Sequence, residues 1–175
     1  MKNSEKVLST LVCVEFLLYT VCLCAPQWLV QPGGACEGLF AVCDTYKGLF
    51  SCTTLPAWMG SYSLTWMFLA SSSTLSLATL VAIKPALSKG KRAIVALLLN
   101  IISVAFCVCA LIAFILSIEE HLPEMVKFLG WAFYICCATV LYASVVSVGL
   151  GLVGGSSSVE PVSLHDCSGL PPVSP

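Results

Sequence analysis

The sequence predicts an all-α membrane protein: a four-transmembrane-helix bundle with a small disulfide-stapled extracellular β-sheet. Three observations predict it. Four apolar runs meet or approach the roughly 20 residues that a hydrocarbon core requires. Of the 175 residues, 58% are hydrophobic and only 10% charged, against about 25% charged in an ordinary soluble domain. The one substantial segment between apolar runs holds turn signals, short β-type runs and three cysteines. A chain this small cannot hide so much apolar surface from water, so lipid is its solvent. Helices are the economical way across, because lipid satisfies no backbone N–H or C=O group.

The first span is 7–24, VLSTLVCVEFLLYTVCLC. Its basic start and the small residues near Cys24 and Ala25 also fit a cleaved signal peptide. The run is long for a signal core, however, and Glu15 sits in its middle, so it reads as a span. The second span is 64–83, the third 93–118 and the fourth 129–153. Lys2 and Lys6 precede the first span, and Lys84, Lys89, Lys91 and Arg92 lie between the second and third. The other two connections hold only Lys47 and Lys127. The positive-inside rule then places both termini and the 84–92 loop in the cytosol, and the 25–63 and 119–128 loops outside. Net charge is −1, with no basic cluster beyond that one loop, which argues against nucleic acid as a partner. The tail, 154–175, is rich in Gly, Ser and Pro and is expected to be a disordered cytosolic segment.

The outer segment reads as strands and turns. Pro32-Gly33-Gly34 is a turn signal, 39–42 and 49–50 are β-type runs, and 44–48 has the composition of a hairpin loop. Leu55-Pro56 ends the strand region. Cys43 and Cys52 have eight residues between them. That is too long for a redox C-x-x-C pair and lacks the further Cys or His of a zinc site. A disulfide closing the hairpin is the reading, in a compartment where disulfides persist. On the chain-entropy model such a loop closure contributes roughly 2.5–3 kcal/mol, which matters in a segment with little core of its own. Cys36 is left over. It can pair between molecules, replace one partner in the hairpin, or remain a thiol.

At these residues the chain resembles a known group. Trp28, then Gly38-Leu39-Phe40, then Cys43, then Cys52 is similar to the W…GLW…C…C signature of the claudin, peripheral myelin protein and epithelial membrane protein superfamily. That group includes the calcium-channel gamma-like and lipoma-fusion-partner-like tetraspans. Four spans, a long first and a short second outer loop, and the Gly-Trp-Ala-Phe-Tyr stretch at 130–134 also resemble it. The departures are Phe40 in place of Trp, a short Trp28-to-Phe40 interval, a Pro-Val-Ser-Pro terminus without a PDZ-binding Tyr-Val, and no Asn-x-Ser/Thr sequon. The short interval implies a smaller extracellular sheet than in claudins.

Within the spans, small residues recur at every fourth position: Ala70, Thr74, Ala78 and Ala82 in the second, Thr139, Ala143, Ser147 and Gly151 in the fourth. That spacing puts each set on one helix face where backbones approach closely. The faces either pack inside the bundle or dock a partner's helix. Glu15 is costly, about 2.5–3.5 kcal/mol near a bilayer centre on insertion scales. At 1.5 Å per residue it lies about 12 Å up span one, and Asn100 about 10 Å up span three. Ser73, Thr74, Ser76 and Ser144 fall near that depth. The expectation is a buried layer in which protonated Glu15 bonds Asn100 and hydroxyls. A contact with a partner's span and an ion path are the other readings of Glu15.

The thiols Cys13, Cys22, Cys24, Cys107, Cys109, Cys136 and Cys137 read as small apolar fillers. Glu119, Glu120, His121 and Glu124 read as a solvated acidic loop. His165-Asp166-Cys167 sits in a tail too flexible to hold nucleophile geometry. No catalytic residue, cofactor, metal or small-molecule substrate is expected. The expected partners are the bilayer and other membrane proteins or a second copy. The resemblance implies a non-enzymatic tetraspan of the plasma membrane that organises cell–cell or lateral contacts, with Leu49, Phe50 and Trp58 as candidate contact residues. The alternative is an accessory, gamma-like subunit of a channel or receptor. A transporter is disfavoured, because one carboxylate and no broken helix make a poor pathway.

Overall fold

The structure is a computed structural model that describes residues 2–30, 35–46, 49–54, 62–86, 91–119 and 128–156. Four helices carry it: α1 (Lys2–Cys24), α2 (Ser63–Ala86), α3 (Lys91–Glu119) and α4 (Trp131–Ser156). Each is long and apolar enough to cross a membrane. Two of them, α2 and α3, outrun the predicted spans at both ends, and α1 outruns its span at the start alone, because backbone hydrogen bonding continues past the last apolar residue. The fourth begins two residues later than predicted, because Leu129 and Gly130 pair with Leu29 and Trp28 instead.

Buried positions show why these helices pack as they do. On α1 they are Leu8, Val12, Glu15, Tyr19 and Cys22; on α3, Ala96, Asn100, Ser103, Cys107, Ala110, Phe114 and Ile118. On α4 they are Ala132, Cys136, Thr139, Ala143, Val146 and Leu150, and α2 repeats the spacing with Thr65, Leu69, Ser72, Ser76, Thr79 and Ile83. Steps of three and four residues keep one seam facing inward, the geometry of left-handed bundles with shallow crossing angles. The helices form a ring in which α1 touches α2 and α4, and α3 touches α2 and α4. Their outward faces stay apolar, with Leu141 and Val145 71% exposed.

At one end of the bundle lies a four-stranded antiparallel meander, β1 (Leu29–Val30), β2 (Cys36–Glu37), β3 (Ala41–Tyr46) and β4 (Leu49–Thr54), in the order β1-β2-β3-β4. The ladder pairs Asp44 with Ser51, Thr45 with Phe50 and Tyr46 with Leu49. The predicted 44–48 loop is therefore strand as far as Tyr46. The connection shrinks to Lys47-Gly48, a two-residue link of the length that suits the twist of paired strands. Leu39 and Phe40, predicted as strand, form a bend, because the Gly38 N–H donates to the Ala41 carbonyl at 2.8 Å and closes a tight turn. Pro32-Gly33-Gly34, Leu55-Pro56, the 120–127 loop and the tail beyond 156 lie outside the described residues.

Two close backbone approaches fix the sheet on the bundle. Leu129 bridges Leu29, the Gly130 N–H donates to the Trp28 carbonyl at 2.8 Å and the Ala132 N–H donates to the Gln27 carbonyl at 3.2 Å. A Cβ on Gly130 would collide with the Gln27 carbonyl oxygen. Gly38 is confined in the same way: a Cβ there would lie 2.7 Å from the Ala25 oxygen and from the Pro26 Cα. Both positions need glycine for space alone.

Candidate functional site

Two constellations draw together the residues singled out in the sequence. The first is the seat of the sheet. Trp28 is buried, and its indole N–H donates to the Cys22 carbonyl at 2.8 Å, capping an orphan acceptor in the last turn of α1. Its ring meets Phe114 of α3 edge-on at 4.8 Å. Phe114 also contacts Tyr62, just before α2, at 5.4 Å, and Phe133 of α4 at 5.9 Å. One tryptophan from the loop thus reaches α1, α3 and α4 and the residue that precedes α2, directly or through one neighbour. Aromatic contacts of this kind contribute about 0.5–1.5 kcal/mol each beyond area burial.

Gly38, Leu39 and Phe40 complete the seat. The Trp28 N–H donates to the Glu37 carbonyl at 3.0 Å, which lays Gly38 over the Ala25–Pro26 backbone. Leu39 is buried, and Phe40 packs edge-on against Trp66 of α2 at 5.8 Å. On the far side of the turn the Cys43–Cys52 disulfide joins β3 to β4 across directly paired positions, with Cα atoms 4.0 Å apart. Burial, with the Glu37 carboxylate as the lesser cause, pushes the Tyr62 phenol up to about 12. Trp58 lies outside the described residues, as do the side chains of Leu49 and Phe50.

The second constellation is a polar layer inside the bundle. Glu15 and Asn100 are both fully buried. With its amide nitrogen turned toward α1, Asn100 donates to the Glu15 carboxyl oxygens at 3.1 and 3.2 Å, and its oxygen accepts from the Ser147 hydroxyl at 2.9 Å. In the opposite orientation the Asn100 amide nitrogen donates to the Ser147 hydroxyl at 2.9 Å and to the Ala143 carbonyl at 3.4 Å, and its oxygen faces the Glu15 carboxyl, a contact that only a protonated carboxyl can bond. Further bonds close the ring of helices. The Ser103 hydroxyl donates to the Ser72 carbonyl at 2.8 Å, linking α3 to α2. The Tyr142 hydroxyl donates to the Leu11 carbonyl at 3.0 Å, linking α4 to α1. Thr20 of α1 meets Ser73 of α2 at 3.5 Å.

Not every residue expected in the layer joins it. Thr74 and Ser144 face outward and satisfy their hydroxyls on their own helices, Thr74 on the Ser71 carbonyl at 2.9 Å and Ser144 on the Val140 carbonyl at 2.8 Å. That local bond is always within reach of a helical Ser or Thr. Ser76 is buried, but its hydroxyl has no partner among the described residues. Ser72, Ser103 and Tyr142 were not expected there, nor was Tyr19, which is fully buried but whose hydroxyl, like that of Ser76, has no hydrogen-bond partner among the described residues. Tyr19 was findable, one turn beyond Glu15 on the same face.

The two small-residue stripes part company. Thr139 and Ala143 of α4 are buried, with Ser147 and Gly151 half-buried against α3. In α2, Thr74 and Ala78 are exposed and Ala70 and Ala82 only half-buried, so that stripe lies off the packed seam. The thiols divide similarly. Cys22, Cys107 and Cys136 fill the core, with the last two sulfurs 3.6 Å apart, while Cys13, Cys24 and Cys109 face outward. Among the described residues no group of His, Cys, Asp and Glu is arranged to hold a metal.

No family model matches the chain, and no curated protein does.

Proposed function

We propose that this chain is a claudin-like tetraspan membrane protein that organises cell–cell or lateral membrane contacts without catalysing a reaction. One observation carries the reading: Trp28, Gly38, Leu39, Phe40, Cys43 and Cys52, the residues of the family-like signature, gather into one seat that clamps a stapled sheet onto four apolar helices. Spacing alone does not require that. On this reading the sheet faces outward and is the recognition surface. The termini lie in the cytosol of a plasma-membrane protein, as the lysine and arginine distribution favours.

A second reading, an accessory subunit that biases a channel or receptor, is favoured by the α2 stripe. Thr74 and Ala78 leave a shallow outward face where a neighbouring helix could approach closely. Affinity purification in mild detergent with mass spectrometry, together with imaging of mixed cultures, separates the two. Self-association and enrichment where two expressing cells meet support the contact organiser. A recurrent channel or receptor, without enrichment at contacts, replaces it with the accessory role. Tags at the two termini that report opposite sides of the membrane defeat both.

A further inference from the structure

Cys36, Cys43 and Cys52 stand in one row across three strands. Cys36 of β2 pairs directly with Cys43 of β3, and Cys43 pairs directly with Cys52 of β4. Directly paired residues in antiparallel strands project to the same face of the sheet. The disulfide occupies the Cys43–Cys52 step of this row, and Cys36 flanks Cys43 on the other side. Antiparallel cross-strand pairs hold their Cα atoms about 4.5–5.5 Å apart, within the roughly 4.4–6.8 Å that a disulfide spans. Displacement at a disulfide sulfur needs the incoming thiolate opposite the departing one. A row with Cys43 in the middle provides that approach.

We propose that these three cysteines form an exchange relay that unmasks Cys52 as a covalent attachment site. The Cys36 thiolate attacks the Cys43 sulfur. The Cys36–Cys43 bond forms, the Cys43–Cys52 bond breaks, and Cys52 leaves as a thiolate that takes up a proton. One thiol and one disulfide are present before and after, so no oxidant is consumed. Burial gives the exchange a direction in space. Cys36 and Cys43 are buried, whereas residues 51–54 of β4, Cys52 among them, are exposed on the outer strand. The resting form ties the exposed sulfur into the hairpin, and the exchanged form hides both bonded sulfurs and presents Cys52. Its thiolate then attacks a partner's disulfide, forming a mixed disulfide and releasing the partner's thiol. Neither strand has to shift register, because each bond links residues already paired. The relay rests on strand register and burial and is independent of the proposed function.

The test uses the full chain in detergent micelles, incubated with N-ethylmaleimide and mapped by non-reducing peptide mass spectrometry over time. The expected result is alkylated Cys52 accumulating together with a Cys36–Cys43 disulfide, and at least about tenfold less Cys52 alkylation in Cys36→Ser. Equal Cys52 labelling in both proteins overturns the relay, as does alkylation of Cys36 with Cys43–Cys52 intact. A second variant guards against a fold defect in Cys36→Ser. Protein carrying Cys52→Ser, purified from the secretory route, is expected to contain the Cys36–Cys43 disulfide. Finding Cys36 and Cys43 both as thiols there overturns the relay.

Discussion

Glu15 makes two contacts through one partner: Asn100 spans both carboxyl oxygens and passes the connection to Ser147 on α4. A buried polar group costs most when its partner is removed, and little when both are removed together. Replacing Glu15 with Gln keeps an acceptor for the Asn100 amide and is expected to change thermal stability in micelles little. Replacing it with Leu strands the Asn100 amide and is expected to cost about 1–3 kcal/mol. Adding Asn100→Leu to Glu15→Leu should then recover part of the loss, with a coupling energy of about 0.5–3 kcal/mol in the double-mutant cycle. Strict additivity would mean the two side chains do not act as a unit. This pair was legible in the sequence, because both residues are rare in apolar helices and counting 1.5 Å per residue puts them at one depth. The cysteine row was not. It depends on β2, a strand of two residues with no alternation to read, and Cys36 was left with three possible fates until strand pairing placed it beside Cys43.

At the scale of the element, the four helices were legible and their faces only partly so. Water marks the outside of a soluble helix with polar residues, but here the outward faces are as apolar as the core. Small residues at four-residue spacing therefore looked alike in α2 and α4. What separates them is the polar set: in α2, Thr65, Ser72, Ser76 and Thr79 all point inward, and the Ala70–Ala82 stripe lies off that face. The two stripes should respond differently to bulk. Ala143→Leu in α4 forces extra methylenes into a packed seam and is expected to cost about 1–3 kcal/mol. Ala78→Leu in α2 adds them to an exposed face and is expected to leave the melting temperature within the range of ordinary surface changes, about ±0.5 kcal/mol. Equal losses would mean that both stripes are packed alike.

Over the whole molecule, the sheet and the bundle meet as one folded unit. Trp28 caps α1, Gly130 brings the start of α4 against β1, and Phe114 of α3 gathers aromatic rings from the loop, α4 and the approach to α2. Tyr62 sits at this joint and reports on it, because its environment includes Phe114 from the bundle and Glu37 from the sheet. Burial first, and the Glu37 charge second, hold the phenol proton until about 12 in the folded state. In the unfolded chain the same group ionises near 10, as free tyrosine does. Between about pH 10 and 12 the unfolded state therefore binds fewer protons than the folded one, and stability falls as pH rises. Below about pH 10 both states keep the proton and Tyr62 contributes no slope. Melting temperatures taken from about pH 9 to 12 should decline more steeply in the parent protein than in Tyr62→Phe, where the other titrating groups remain but this one is gone. Glu37→Gln, which removes the lesser cause, should make the decline slightly shallower while leaving most of it, since burial dominates. Identical slopes in the parent and Tyr62→Phe would mean that Tyr62 is open to solvent, and that the joint between sheet and bundle is looser than its packing implies.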